Sequence, residues 1–198
     1  RESRRRGIAV VLTVTINPSP SVPNLTVRDP RIRLLQYLSS IRWWDKISRR
    51  NGWDLCIVEN SDSLEMLRGK SPPGLRWLQT PRPNKWVVER GKGAGEAMML
   101  LEATQAWHGY SHLMKVTGRL KVLNAAKLVS RTDGPQSHEI RVGPGTEFCR
   151  VDTRLFIAPP KAVQEWMSAI APGVRDDYGA DFEALSWHWL AEQAQVNW

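Results

Sequence analysis

The sequence predicts an α/β fold, a single domain with a mostly parallel sheet flanked by helices. Three observations carry this. The chain has 198 residues, 41% of them hydrophobic, which suits one domain with a real core. β-Branched runs alternate with segments of helical periodicity. The first run, Ile8 to Ile16, is almost continuously apolar, as expected of a central strand covered on both faces.

The elements follow in order. Asn17 to Pro23 reads as a Pro/Ser loop. Asp29-Pro30 starts a helix, with Asp as N-cap and Pro at the first helical position. Ile32, Leu35, Leu38, Ile41 and Trp44 continue it at helical spacing, and Asn51-Gly52 ends it. Asp54 to Val58 supplies a second strand, completing a β-α-β unit with parallel strands. Glu59-Asn-Ser-Asp62 lies at that strand's carboxyl end, where open α/β sheets place their ligand crevice. A short helix around Ser63 to Gly69 and a loop with Pro72, Pro73, Pro81 and Pro83 come next. Gly91-Lys-Gly-Ala-Gly-Glu96 reads as a glycine-rich loop leading into an apolar helix, Ala97 to Trp107. Tyr110 to Val116 is a third strand ending in Thr117-Gly-Arg119, with a helix near Asn124 to Ser130. Two strands, His138 to Val142 and Phe148 to Ala158, precede a helix opened by Pro159-Pro160 and a last helix from about Ala180 to Gln195.

Charge is unevenly distributed. Residues 1–90 hold 17 Lys+Arg and 8 acids, residues 91–150 hold 8 and 5, and residues 151–198 hold 3 and 7. The net charge of +8 thus divides into a basic N-terminal half and an acidic end. This points to a polyanionic partner, nucleic acid or nucleotide, and to a carboxylate cluster elsewhere. No apolar run reaches the length of a membrane span. Arg1, Arg4, Arg5 and Arg6 resemble a signal-peptide n-region, but Asn17, Pro18 and Pro20 end the apolar stretch and no cleavage pattern follows. The expected location is therefore cytoplasmic. Cys56 and Cys149 read as buried thiols, and Gly109 inside the His108/His112 pair argues against a zinc-binding helix face.

Glycines before a helix let backbone approach a phosphate, and free amides at the helix start favour an anion. The spacing of Gly91 to Glu96 fits neither a P-loop nor a dinucleotide fingerprint. Lys115 and Arg119 gather two cations at a strand end, with Gly118 permitting close approach. Asp176, Asp177, Asp181 and Glu183 form a dense acidic cluster, read as a source of a general base or metal ligand. Trp166, Trp187 and Trp189 read as core. Arginines interleaved with tryptophan, Arg42-Trp43-Trp44 and Arg76-Trp77, offer base stacking as a minority role.

The order of these motifs resembles bacterial and phage glycosyltransferases of the GT-A type, including groups found beside phage DNA-modifying enzymes. The residues are V-V-L-T-V-T-I, D-P-x-x-R-x-x-x-Y (Asp29, Pro30, Arg33, Tyr37), I-V-E-N-S, G-K-G-x-G-E and K-V-T-G-R-L-x-V-x-N (Lys115 to Asn124). The resemblance implies a single-domain GT-A-like, Rossmann-type fold over residues 1–198. Residues of about 8–123 would bind the nucleotide sugar, and about 124–198 would face the acceptor. A UDP-sugar is the expected donor, contacted by Thr13, Thr15, Asn17, Glu59, Asn60, Lys92, Gly93, Gly95, Glu96, Lys115, Thr117, Gly118 and Arg119. Lys92, Lys115 and Arg119 would hold the diphosphate.

GT-A enzymes usually carry D-x-D to hold a divalent metal, and none occurs here. Either Asp152 or the Asp176 to Glu183 cluster supplies the metal, or Lys115 and Arg119 replace it electrostatically. Asp181 or Glu183, with Asp152 in reserve, is expected to deprotonate the acceptor. Arg42, Trp44, Arg154 and His188 are expected to face that acceptor. The basic half suggests DNA with a hydroxymethylated base, in a phage-type setting within the bacterial host cytoplasm. An envelope glycan or phage structural protein is the other acceptor, and a non-catalytic nucleic-acid-binding module the competing class.

Overall fold

β1 (Arg6–Val14) runs through the middle of the molecule because its side chains are apolar on both faces. Ile8, Val10, Leu12 and Val14 enter one core and Ala9 and Val11 the other, as strand alternation requires. The computed structural model describes residues 6–20, 22, 25–80, 82–130, 141–144 and 150–193. Cys149 and parts of both strands expected between 138 and 158 lie outside the described residues.

The further elements are α1 (Pro30–Asn51), β2 (Asp54–Glu59), α2 (Leu64–Arg68), β3 (Arg76–Gln79), α3 (Arg82–Arg90), α4 (Lys92–Ala103), β4 (Tyr110–Thr117), α5 (Ala125–Ser130), β5 (Arg141–Pro144), β6 (Val151–Ala158), α6 (Pro160–Ile170) and α7 (Phe182–Glu192). They form one six-stranded sheet ordered β3-β2-β1-β4-β6-β5. β3, β2, β1 and β4 are parallel, and β6 and β5 add antiparallel pairings. The order reverses between β1 and β4, so their carboxyl ends flank a topological switch point.

α1 begins where the sequence indicates. Asp29 accepts the Arg31 amide at 2.7 Å, and Gly52 closes the helix in the left-handed conformation at φ 67°. Its inner face buries Leu34, Tyr37, Leu38, Ile41 and Trp44 on one side of the sheet. α4, α6 and α7 cover the other side through Leu100, Val163, Trp166 and Phe182.

Two expectations change. The proline-rich stretch after residue 71 is not all loop, since it contains β3 and α3. β3 is a short edge strand that shows no alternation, and Pro83 sits in the first turn of α3, where no amide is needed. The glycine-rich stretch is also not a loop ahead of the helix. α4 starts at Lys92, so Gly93 and Gly95 are helical and buried.

Gly118 is fixed by close approach of the chain to itself. A Cβ there would lie 2.6 Å from the Thr13 carbonyl oxygen and 3.1 Å from the Tyr37 ring. Gly118→Ala should therefore cost about 1–3 kcal/mol in urea unfolding. Gly109→Ala, where a Cβ meets nothing within 4 Å, should change stability by no more than about 0.5 kcal/mol.

Candidate functional site

A cavity of about 630 Å³ opens over the carboxyl ends of β1 and β4. β1 presents Thr13 and Thr15, β4 ends in Thr117, and Arg119 follows it. Asn60 comes from the end of β2, Arg33 and Tyr37 from α1, and Lys92, Gly93 and Glu96 from α4. Arg150, Arg154, Asp176, Asp181 and Glu183 complete the wall.

Lys115 lies directly beneath. It is 1% exposed and donates to Glu96 Oε1 at 2.7 Å, the Thr153 carbonyl at 2.6 Å and Thr117 Oγ1 at 3.3 Å. The three N–H groups of an ammonium are thereby used. Thr13 Oγ1 also donates to Glu96 Oε1, at 2.7 Å. Lys115 therefore braces the floor and, contrary to expectation, has no donor left for a diphosphate.

The remaining expected donor residues divide. Thr13, Thr15, Asn60, Lys92, Gly93, Glu96, Thr117 and Arg119 line the cavity. Glu59 does not; it is fully buried and organises the turn after β2. Its carboxylate accepts from the Ser61 amide at 2.9 Å, the Ser63 amide at 3.0 Å, Gln79 Nε2 at 3.0 Å and the Ser61 hydroxyl. Asn17 borders a neighbouring groove of about 410 Å³ that shares Pro18 with the cavity. Gly95 is inside α4, and Gly118 packs on β1.

Gly91 and Gly93 make room for Asp176. A Cβ on either would lie 2.5 or 2.7 Å from that side chain. Gly91 also adopts φ 102°, a conformation suited to glycine. Asp176 Oδ2 accepts the Gly93 amide at 3.1 Å, so the protein's own carboxylate occupies the start of α4. Oδ1 is buried without a hydrogen-bond partner. Burial pushes the Asp176 carboxyl up, opposed by the Gly93 amide and the nearby Lys92 charge.

The three expected bases differ in commitment. Asp181 caps α7 by accepting the Ala184 amide at 2.9 Å, and it pairs with Arg150 at 2.7 Å. Asp152 lies outside the cavity and accepts both Arg154 Nε and Nη2, at 2.8 and 2.7 Å; that contact holds its carboxyl below the usual range. Glu183 faces the cavity and accepts the Thr153 hydroxyl at 2.8 Å.

Of the expected acceptor residues, only Arg154 reaches the cavity. Trp44 is completely buried, its indole N–H donating to the Leu120 carbonyl at 2.8 Å. Arg42 is exposed on the outer side of α1, and His188 is exposed on α7 away from the cavity. Arg33 and Tyr37 were visible as a motif but had no assigned role. Their i, i+4 spacing was the signal. Arg33 bonds the Thr15 and Val27 carbonyls at 2.7 and 3.1 Å and the Tyr37 hydroxyl at 3.0 Å.

Among the described residues, those present do not fit the divalent metal that the resemblance implies. The turn after β4 is Thr117-Gly118-Arg119, and among the described residues no three His, Cys, Asp or Glu side chains gather to hold a metal ion. Glu96 is already paired with Lys115, and Asp181 with Arg150. The chemistry available is hydroxyls and an amide on the floor, cations on the rim, and Glu183 opposite.

Lys115→Met should cost about 3–5 kcal/mol in urea unfolding, because it strands Glu96 in a partly buried position. Adding Glu96→Gln should recover most of that loss. Asp176 supplies a pH test. Its carboxyl is raised on folding, so its contribution to stability is greatest below the unfolded value and is lost as pH rises through the folded one. Asp176→Asn should accordingly equal or exceed the parent in stability at neutral pH, with the advantage shrinking on acidification in urea melts.

No protein-family model matches this chain, and no curated protein sequence matches it. Among solved structures it is similar to a protein of Desulfovibrio desulfuricans G20 provisionally assigned as a nucleotide-diphospho-sugar transferase. The TM-score is 0.57 at 11% identity, over 96% of this chain and 77% of the other. A cytidylyltransferase of Leptospira borgpetersenii serovar Hardjo-bovis gives a TM-score of 0.47 at 9% identity, over 81% of this chain and 63% of its own. The first likeness is one of fold alone, that of an α/β domain with a mostly parallel sheet flanked by helices.

Proposed function

We propose that the protein is a glycosyltransferase that moves a sugar from a nucleoside-diphosphate sugar, with UDP as the carrier, to an acceptor hydroxyl. One observation carries the reading. The cavity stands over the switch point, between β1 and β4, with hydroxyls as its floor and cations at its rim. Residues of about 8–123 serve the donor, with Thr15 and Asn60 beside the nucleoside. Arg119 and Lys92 hold the diphosphate.

In the reaction, the acceptor oxygen bonds to the anomeric carbon while the bond from that carbon to the diphosphate oxygen breaks. The leaving diphosphate keeps the electron pair, and Arg119 and Lys92 stabilise its charge. Glu183 takes the acceptor proton. It is favoured over Asp181 and Asp152, whose carboxylates are engaged by Arg150 and Arg154. The segment around Glu183 and Arg154 serves the acceptor.

The basic N-terminal half is the sole ground for a hydroxymethylated DNA base, and the site adds no support to it: of the residues expected to face that acceptor, Trp44 is buried and Arg42 lies off the cavity. No feature of the site favours a phage-type enzyme. A glycan hydroxyl is the acceptor class we retain.

Titration calorimetry with UDP tests the donor site. Arg119→Ala should weaken binding about tenfold or more, the loss expected for a charge-assisted phosphate contact. Glu183→Gln should bind UDP normally and lose about 10²–10⁴-fold in UDP-sugar turnover, with water as the minimal acceptor. No UDP binding by the parent, or unchanged binding by Arg119→Ala, would remove the assignment.

A further inference from the structure

The outer face of α1 carries charge that the fold does not use. Leu35, Ser39, Arg42, Lys46 and Arg50 succeed one another at helical spacing, and all are exposed. No acid falls in that row. Arg42, Lys46 and Arg50 occupy successive i, i+4 positions, where like charges destabilise a helix. The acid of α1, Asp45, is bonded instead to Arg49 at 2.8 Å. The helix dipole accounts for cations in the last turn, but not for Arg31 in the first or for Arg42 and Lys46 between.

The segment after β4 widens this face. Arg119 donates to Gln36 at 3.1 Å, the Leu120 carbonyl accepts from Ser40 and Trp44, and Lys121 donates to Ser39 at 2.9 Å. These bonds lay residues 119–121 along the helix and bring the Lys121 ammonium beside the row. Large apolar side chains are exposed in the same elements: Ile32 at 49%, Leu35 at 68% and Leu123, two residues beyond Lys121, at 89%.

We propose that this face docks on an anionic phospholipid surface. Arg31, Arg42, Lys46 and Lys121 meet headgroup phosphates, and Ile32, Leu35 and Leu123 enter the boundary with the acyl chains. Charge complementarity selects an anionic partner, and the exposed aliphatic side chains select lipid. A nucleic-acid backbone would satisfy the cations but bury none of the leucines. A second copy of this chain would set two basic rows against each other. The same helix gives Arg33 and Tyr37 to the cavity wall, so docking would hold the cavity near the lipid surface. The proposal stands whether or not the transferase reading does.

The test is co-sedimentation of the full chain with phosphatidylcholine vesicles, with and without phosphatidylglycerol. Binding should require phosphatidylglycerol and weaken with added salt. Arg42→Glu with Lys46→Glu should lower partitioning about tenfold or more. Leu35→Ser with Leu123→Ser should lower it about fivefold and leave duplex-DNA retention in a gel-shift assay unchanged. Both double variants should keep the parental melting temperature, since the altered side chains are exposed. Equal binding to neutral vesicles, or vesicle binding indifferent to either double variant, would overturn the proposal. So would a dimer in sedimentation velocity that the charge reversals abolish.

Discussion

A buried ammonium joins the parts of this molecule that make the site. Lys115 stands on β4, takes Glu96 from α4 and the Thr153 carbonyl from β6, and through Glu96 reaches Thr13 on β1. Removing a charge from water costs several kcal/mol, and only complete pairing offsets it. The arrangement meets that condition, with an acceptor for each N–H. It works only if α4 approaches the β1–β4 seam closely. That approach places Gly93 against Asp176 and Phe182, where a Cβ would be 2.7 and 3.1 Å from their atoms. Glycines inside a helix each cost about 1 kcal/mol. Here they permit the contact that seats α4 over the sheet.

The consequence for function is a division of labour among cations. Lys115 is enclosed, and Arg150 and Arg154 in the cavity wall are paired with Asp181 and Asp152, so the positive charge offered to a ligand's phosphates comes from Arg119 and Lys92. Arg33 is spent on backbone carbonyls and the Tyr37 hydroxyl. The carboxylates divide likewise. Asp176 tethers the start of α4, Asp181 caps α7, and Glu183 is turned to the cavity.

Much of the fold was legible because its signals are local. Continuous β-branched residues marked β1, Asp29-Pro30 and Asn51-Gly52 marked the ends of α1, and Pro159-Pro160 marked the start of α6. β3 and α3 were hidden because a four-residue edge strand has no period and prolines resemble loop. The start of α4 was hidden because propensity disfavours glycine, while the reason for it, Asp176, lies far along the chain. Thr13, Thr15, Thr117 and Arg119, expected from the resemblance, line the cavity because they stand at or just beyond the carboxyl ends of β1 and β4. Lys115, expected at the diphosphate, instead faces Glu96 of α4. Strand alternation puts it on the side of α4, opposite Met114 and Val116. Trp44 is turned inward with Leu34, Tyr37, Leu38 and Ile41, whereas Ile32 and Leu35 of the same apolar series face out.

The proposed donor site holds a nucleoside diphosphate over the carboxyl ends of β1 and β4. Amide chemical-shift mapping by NMR during titration with UDP tests it most directly. Shifts should concentrate at Thr13, Thr15, Asn60, Gly93, Thr117 and Arg119, with the outer face of α1 unmoved. Shifts confined to the groove beside Asn17 and Val88, or to the outer face of α1, would contradict it.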